Sequence, residues 1–184
     1  MLSVIRTQIG EYFLKRESAT VVRHLKMVSL SSAKSVGILY PLYVIPDYNE
    51  VAEFVSSLQH QHKEVKALGF VDNKNLIKRF LPKLSYDFFS WNDLNWFYKP
   101  LNTKVKDFIS QEFDLLIDLC LQDILAMKYI MGLSKAHCRV GRYNERNRTF
   151  LDLMIDPQPM ISLREYIAQV RHYLTIINQD AKPK

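Results

Sequence analysis

Residues 113–143 read FDLLIDLCLQDILAMKYIMGLSKAHCRVGRY, and this stretch decides the fold. Residues 113–120 are an apolar run of strand length. Residues 121–136 are an apolar segment of helix length, and 137–143 form a second short run ending in Gly141, Arg142 and Tyr143. Strand, helix and strand in succession make a βαβ unit, with a right-handed crossover. Its polar groups gather at two ends, Asp118 to Asp123 and Gly141 to Asn144. Those ends lie side by side only if the two strands are parallel neighbours.

Working outward, residues 36–44 (VGILYPLYV) are β-branched and aromatic, and apolar on both faces at their start, as a buried parallel strand is. Pro41 and Pro46 stop the ladder near its end. Asp47 and Glu50 have capping-box spacing, with Asp in the Ser/Thr role. Val51, Phe54, Val55 and Leu58 then define a helix. Residues 65–71 (VKALGFV) are a second strand, 72–82 a polar loop or short helix, and 84–89 (LSYDFF) a third strand. Residues 90–102 are irregular, but Trp91, Trp96, Phe97 and Tyr98 are too costly to expose together, so the segment folds back onto the domain. A short helix covers 104–111, and FLDLMI at 150–155 is the last strand. Ser162 and Glu165 form a capping box for a final helix whose face carries Ile167, Val170, Leu174 and Ile177.

At the N-terminus, Leu2, Ile5, Ile9, Tyr12 and Phe13 recur at helical spacing. The expectation is an amphipathic helix over 2–16 that covers its own domain. Residues 17–34 continue the helix or run extended, and end in a linker. The whole predicts an α/β fold: a single three-layer domain with a mainly parallel sheet of five or six strands and helices on both faces, preceded by an N-terminal amphipathic helix. Residues 1–34 are read as that helix and linker, 35–178 as the domain and 179–184 as a disordered tail.

The chain has 184 residues, of which 48% are hydrophobic and 12% aromatic, enough to bury a core without disulfide or metal staples. Two cysteines and no export signal point to the cytoplasm. No uninterrupted apolar run is long enough for a membrane span. The net charge of +6 permits attraction to nucleic acid, anionic lipid or anionic metabolites and demands none of them. Self-association through the N-terminal helix is a further expectation.

In an open α/β sheet, ligands bind outside the carboxyl ends of the strands. Ordered that way, the candidate lip holds Asp47, then Asp72, Asn73 and Lys74, then Trp91, Asn92 and Asp93, then Asp118, Cys120 and Asp123, then Arg142, Tyr143 and Asn144, and finally Asp156. The ligand-binding set comprises Trp91, Asn92, Asp93, Asp118, Cys120, Arg142 and Tyr143. Asp and Asn also dominate caps and turns, which accounts for Asp47 and Asp156 without a ligand. Cys120, between a strand and a helix, is placed to be acidified by the helix N-terminus, with His137 as the nearest histidine. A buried, inert thiol is the competing reading. The stretch from Arg139 to Arg148 carries four arginines which, beside an exposed tyrosine, can hold phosphate or stack on a base; a merely solvated loop between the last two strands is the preferred competing reading.

His60 and His62, two apart, point to different helix faces and do not make a metal site. No GxGxxG, Walker A, GxSxG, HExxH or CxxC motif occurs, and with 5 glycines the backbone is poorly suited to wrap phosphate. No cofactor is implied.

FDLLIDL, the apolar helix and SKAHCRVG resemble a segment of the N-terminal half of heptosyltransferase-type glycosyltransferases, which implies an α/β fold. The chain lacks room for the second nucleotide-binding domain of such enzymes. AKSVGILY (33–40), SWNDLNWF (90–97) with the following Lys99-Pro100, FDLLIDL (113–119) and SKAHCRVGRY (134–143) resemble, in that order, recurring blocks of a family of short bacterial proteins of unknown function. That likeness implies a cytoplasmic α/β domain and no assigned activity.

Three readings follow. The first is a domain that binds a small molecule or a protein partner without catalysis. The second is a transferase- or hydrolase-like enzyme for an anionic or nucleotide-type substrate, with Asp118 or Asp93 as acid/base group and Arg142 as anion holder. The third is nucleic-acid binding through Arg139, Arg142, Arg146 and Arg148.

Overall fold

A computed structural model describes residues 2–71 and 85–177. The expected loop or helix at 72–82, the lip residues Asp72, Asn73 and Lys74, and the expected disordered tail lie outside the described residues. Six strands form one sheet: β1 (Ser35–Leu42), β2 (Glu64–Val71), β3 (Tyr86–Ser90), β4 (Leu115–Asp118), β5 (Cys138–Arg142) and β6 (Leu153–Ile155). Their order is β3-β2-β1-β4-β5-β6, and every pairing is parallel. The central strands are buried on both faces, as their continuous apolar runs require.

Five α-helices accompany the sheet among the described residues: α1 (Leu2–Ser18), α2 (Ile45–Gln59), α3 (Thr103–Ser110), α4 (Leu125–Leu133) and α5 (Leu163–Ile176). Alternation along the strands divides the core. Ile38, Tyr40, Leu42, Leu115 and Ile117 pack with Phe54 and Leu58 of α2 and Tyr166 and Val170 of α5. Leu39, Phe70, Leu116 and Cys120 pack with Val105 and Phe108 of α3 and Met127 and Ile130 of α4. The result is three layers, with α1 laid across α4.

The ends of several elements differ from expectation. Helix α2 starts at Ile45 with Pro46 in its first turn, a position where proline costs no hydrogen bond. Asp47 is therefore not the N-cap; it sits in the first turn and its carboxylate accepts from the Val44 amide. Helix α4 begins at Leu125, several residues later than the apolar run begins. The intervening chain is turned by Asp118, whose Oδ1 accepts the Cys120 amide at 2.9 Å, and by the Cys120 thiol, which donates to the Gln122 carbonyl at 3.2 Å. The capping box of α5 is present as expected, with Ser162 Oγ accepting from the Glu165 amide and Glu165 accepting from the Ser162 amide.

Helix α1 covers its own domain but not with the whole expected stripe. Leu2, Ile5 and Tyr12 are exposed, whereas Gly10 and Leu14 are buried. A Cβ at Gly10 would run into the Phe97 carbonyl oxygen and lie 2.7 Å from Leu125. That close approach sets which face of α1 turns inward. Tyr129 of α4 donates to the Gly10 carbonyl at 2.7 Å, Phe13 stacks on Phe97 at 5.0 Å, and Lys99 pairs with Glu17.

Beyond α1 the chain leaves the helix, and Arg23 pins it to the sheet. The guanidinium donates to Asp152 Oδ2 at 2.8 Å and to the His137 carbonyl at 3.1 Å. Asp152 Oδ2 also accepts the Arg139 amide at 2.8 Å.

Candidate functional site

The strand order reverses between β1 and β4, and there the connections leave the sheet in opposite directions. This is where an open α/β sheet forms a crevice at its carboxyl edge. Tyr43 follows β1, and Gln122 lies in the turn after β4. Tyr43 Oη donates to Gln122 Oε1 at 2.7 Å, bridging the crevice. The two residues line a cavity on each side of this bridge. The smaller, about 170 Å³, lies toward Asp47 and Leu163. The larger, about 440 Å³, is lined by Thr7, Tyr43, Phe70, Trp91, Tyr98 and Gln122, together with Asp123 and the first turn of α4. Its size falls in the range of small-molecule sites.

Four aromatic rings thus meet beside one amide and one carboxylate. Trp91 stands edge-on to Phe70 at 5.0 Å and to Tyr98 at 6.0 Å, and remains 46% exposed. Its segment is built rather than loose. The Asp93 carboxylate accepts from the Ser90 amide at 2.7 Å and from Asn102 Nδ2 at 2.9 Å, closing a capping box around the Trp91–Asp93 turn. Tyr98 has φ 69°, the left-handed region that a bulky side chain avoids. Asn95 holds it there, its carbonyl accepting the Tyr98 amide at 3.1 Å and its Oδ1 accepting the Lys99 amide at 2.9 Å. From α1, the Arg6 guanidinium lies 4.4 Å over the Tyr98 ring, a cation–π contact.

The structure separates the residues expected at the lip. Trp91 lines the larger cavity; Asn92 is exposed, and Asp93 is occupied in its capping box. Asp118 and Arg142 end neighbouring parallel strands, so the two ends of the opening stretch do lie side by side. A Cβ at Gly141 would sit 3.2 Å from Asp118 Cβ. Burial pushes the Asp118 carboxyl up to about 7, against the Cys120 amide and the charges of Arg142 and Lys128. Lys128 is itself buried and pairs with Asp123. Asp118 borders a void of only about 10 Å³, shared with Lys128, Asn147 and Phe150. That is room for one water molecule.

Cys120 is not at a helix N-terminus, because α4 starts five residues later. Burial first, and Asp118 second, push its thiol well above the ordinary cysteine range. His137 is at the opposite edge of the sheet, 3.6 Å from Asp114, and forms no pair with Cys120. Arg139 is not in a solvated loop; it lies within β5 and is 4% exposed. Its guanidinium donates to the Phe150 and Ser134 carbonyls, and burial, then Arg23, lower its pKa to about 10. Tyr143 is exposed and donates to Glu145, which also accepts from Arg148 at 2.9 Å. Arg146 lies 3.7 Å from Glu11.

Sequence reasoning missed Thr7, Tyr43, Phe70, Tyr98 and Gln122 as one group. They come from five separate segments, so no spacing connects them. The aromatic density of residues 91–98 was the available signal.

Fold and site together define an open, all-parallel α/β domain with an aromatic-walled cavity at its carboxyl edge. The chain belongs to DUF6913, a family of unknown function, whose family model matches residues 6–177. No curated protein matches the chain. Among the described residues, no helix is long and apolar enough to cross a membrane.

Proposed function

We propose that this chain is a small-molecule-binding domain that performs no chemistry of its own, with the ligand seated in the cavity of about 440 Å³ outside the ends of β1, β2 and β3. The observation that carries this reading is the meeting of Tyr43, Phe70, Trp91 and Tyr98 with Gln122 and Asp123 at the crevice next to the switch in strand order. Apolar walls with a few convergent polar groups are the usual form of a ligand site. The left-handed Tyr98 supports it, since backbone strain of this kind collects where geometry serves binding.

A catalytic reading rests on Asp118, whose carboxyl titrates near neutrality, as a general acid or base should. The void beside it has room for a water molecule and not for a substrate. Binding is therefore the better reading.

A thermal-shift screen of chemically diverse metabolites tests it. A ligand at a hundred times its Kd stabilises by about 2.7 kcal/mol. For a chain of this size that is a rise in Tm of roughly 5–11 °C. The shift is expected to vanish in Trp91→Ala and in Gln122→Ala. Hits that survive both substitutions, or a screen without hits, would sink the reading.

A further inference from the structure

Two properties of the cavity narrow its ligand. Its walls are flat and aromatic, which favours a planar ring that stacks on an aromatic face. Its polar edge combines a donor with an acceptor. Gln122 Oε1 already accepts from Tyr43, which leaves the amide N–H groups of Gln122 to donate. Asp123 is next in sequence; one oxygen of its carboxylate pairs with Lys128, and the other can accept from a ligand. A ring with an acceptor nitrogen beside an exocyclic amine matches that pair. Among the described residues, Asp123 is the only charged residue lining the cavity, and Lys128 of α4 pairs with it. The turn after β1, Tyr43-Val44-Ile45-Pro46, has no glycine to bring the backbone against a phosphate. The cavity, about 440 Å³, has space for a sugar as well as a base.

We infer that the cavity takes an amine-bearing nucleoside of the adenosine or cytidine kind, stacked on Trp91 and read at its edge by Gln122 and Asp123. This rests on the small-molecule reading above and deepens it. A nucleotide fits poorly, since the glycine-free turn after β1 offers its phosphate no backbone cradle. Inosine and uridine replace the amine with a carbonyl, which turns an acceptor toward the Asp123 carboxylate and repels it.

The chain has two tryptophans, so Trp96→Phe leaves Trp91 as the sole indole reporter in the full-length protein. Trp91 emission is titrated with adenosine, inosine, cytidine, uridine and AMP. Saturable change with adenosine or cytidine is expected, with inosine, uridine and AMP each at least tenfold weaker. Gln122→Leu, at an exposed position that leaves the core intact, should weaken adenosine at least tenfold by calorimetry. Equal binding of adenosine and inosine, AMP binding more tightly than adenosine, or indifference to Gln122→Leu each overturns the inference. If no nucleoside binds while other compounds from the thermal-shift screen bind in a Trp91-dependent way, the inference falls and the small-molecule reading stands. If nothing binds, both fall.

Discussion

At the scale of single residues, Asp118 shows how position and role come apart. An acid at the end of an apolar strand is visible in the sequence as a lip residue. The packing that surrounds it is not, and packing decides its chemistry. Burial holds its proton up to about pH 7, whereas an aspartate in the unfolded chain ionises near about 3.9. Between those values the folded state binds the extra proton. Its contribution to stability is therefore fully present below about pH 4 and is lost as pH rises through about 7. Asp118→Asn keeps the acceptor for the Cys120 amide and removes the ionisation. The variant is expected to melt several degrees above the parent at pH 8, with the gap closing toward pH 4. Melting curves across that range check this, and a variant melting lower at pH 8 would show that Arg142 and Lys128 hold the carboxylate charged.

At the scale of elements, the strands and the α5 cap were legible because local pattern and tertiary environment agree. Residues 36–42 are apolar on both faces and lie in the sheet centre; Ser162 and Glu165 are three apart and close their box. Helix α1 was legible as a helix but not in its orientation. Its sequence stripe contains Leu2, Ile5 and Tyr12, all exposed, while the packed face is organised around Gly10. A glycine carries no hydrophobic signal, so the pattern cannot announce a contact made by its missing side chain. Two effects compete at this position. Replacing a helical glycine by alanine ordinarily gains up to about 1 kcal/mol. Here the added methyl meets a backbone carbonyl, which cannot swing aside, and overpacking costs about 1–3 kcal/mol. Gly10→Ala is therefore expected to lose about 1 kcal/mol in urea denaturation; a gain would mean that α1 rides loosely on α4.

At the scale of the molecule, the order of the strands follows from a pattern the sequence shows only as alternation. Runs of strand and helix predict a parallel sheet, but the reversal between β1 and β4 is a choice of topology that no single residue declares. The cavity inherits that opacity, since it exists only where the reversal, the aromatic turn and α1 meet. Its dependence on α1 can be measured. The two large core clusters on either side of the sheet contain no residue before Val28. Leu14 belongs instead to a small cluster with Tyr129 and Phe150. A chain starting at residue 19 should therefore still melt cooperatively and keep the sheet by circular dichroism. It uncovers Tyr129, Phe97 and Leu125, so binding of a hydrophobic dye should rise. It also loses Thr7 from the cavity wall and Arg6 from the face of Tyr98, so any ligand found by thermal shift should bind at least tenfold more weakly. Loss of cooperative melting would make α1 part of the folding core. Unchanged ligand affinity would place the binding site away from the aromatic cavity, because α1 closes no other part of the crevice between Tyr43 and Gln122.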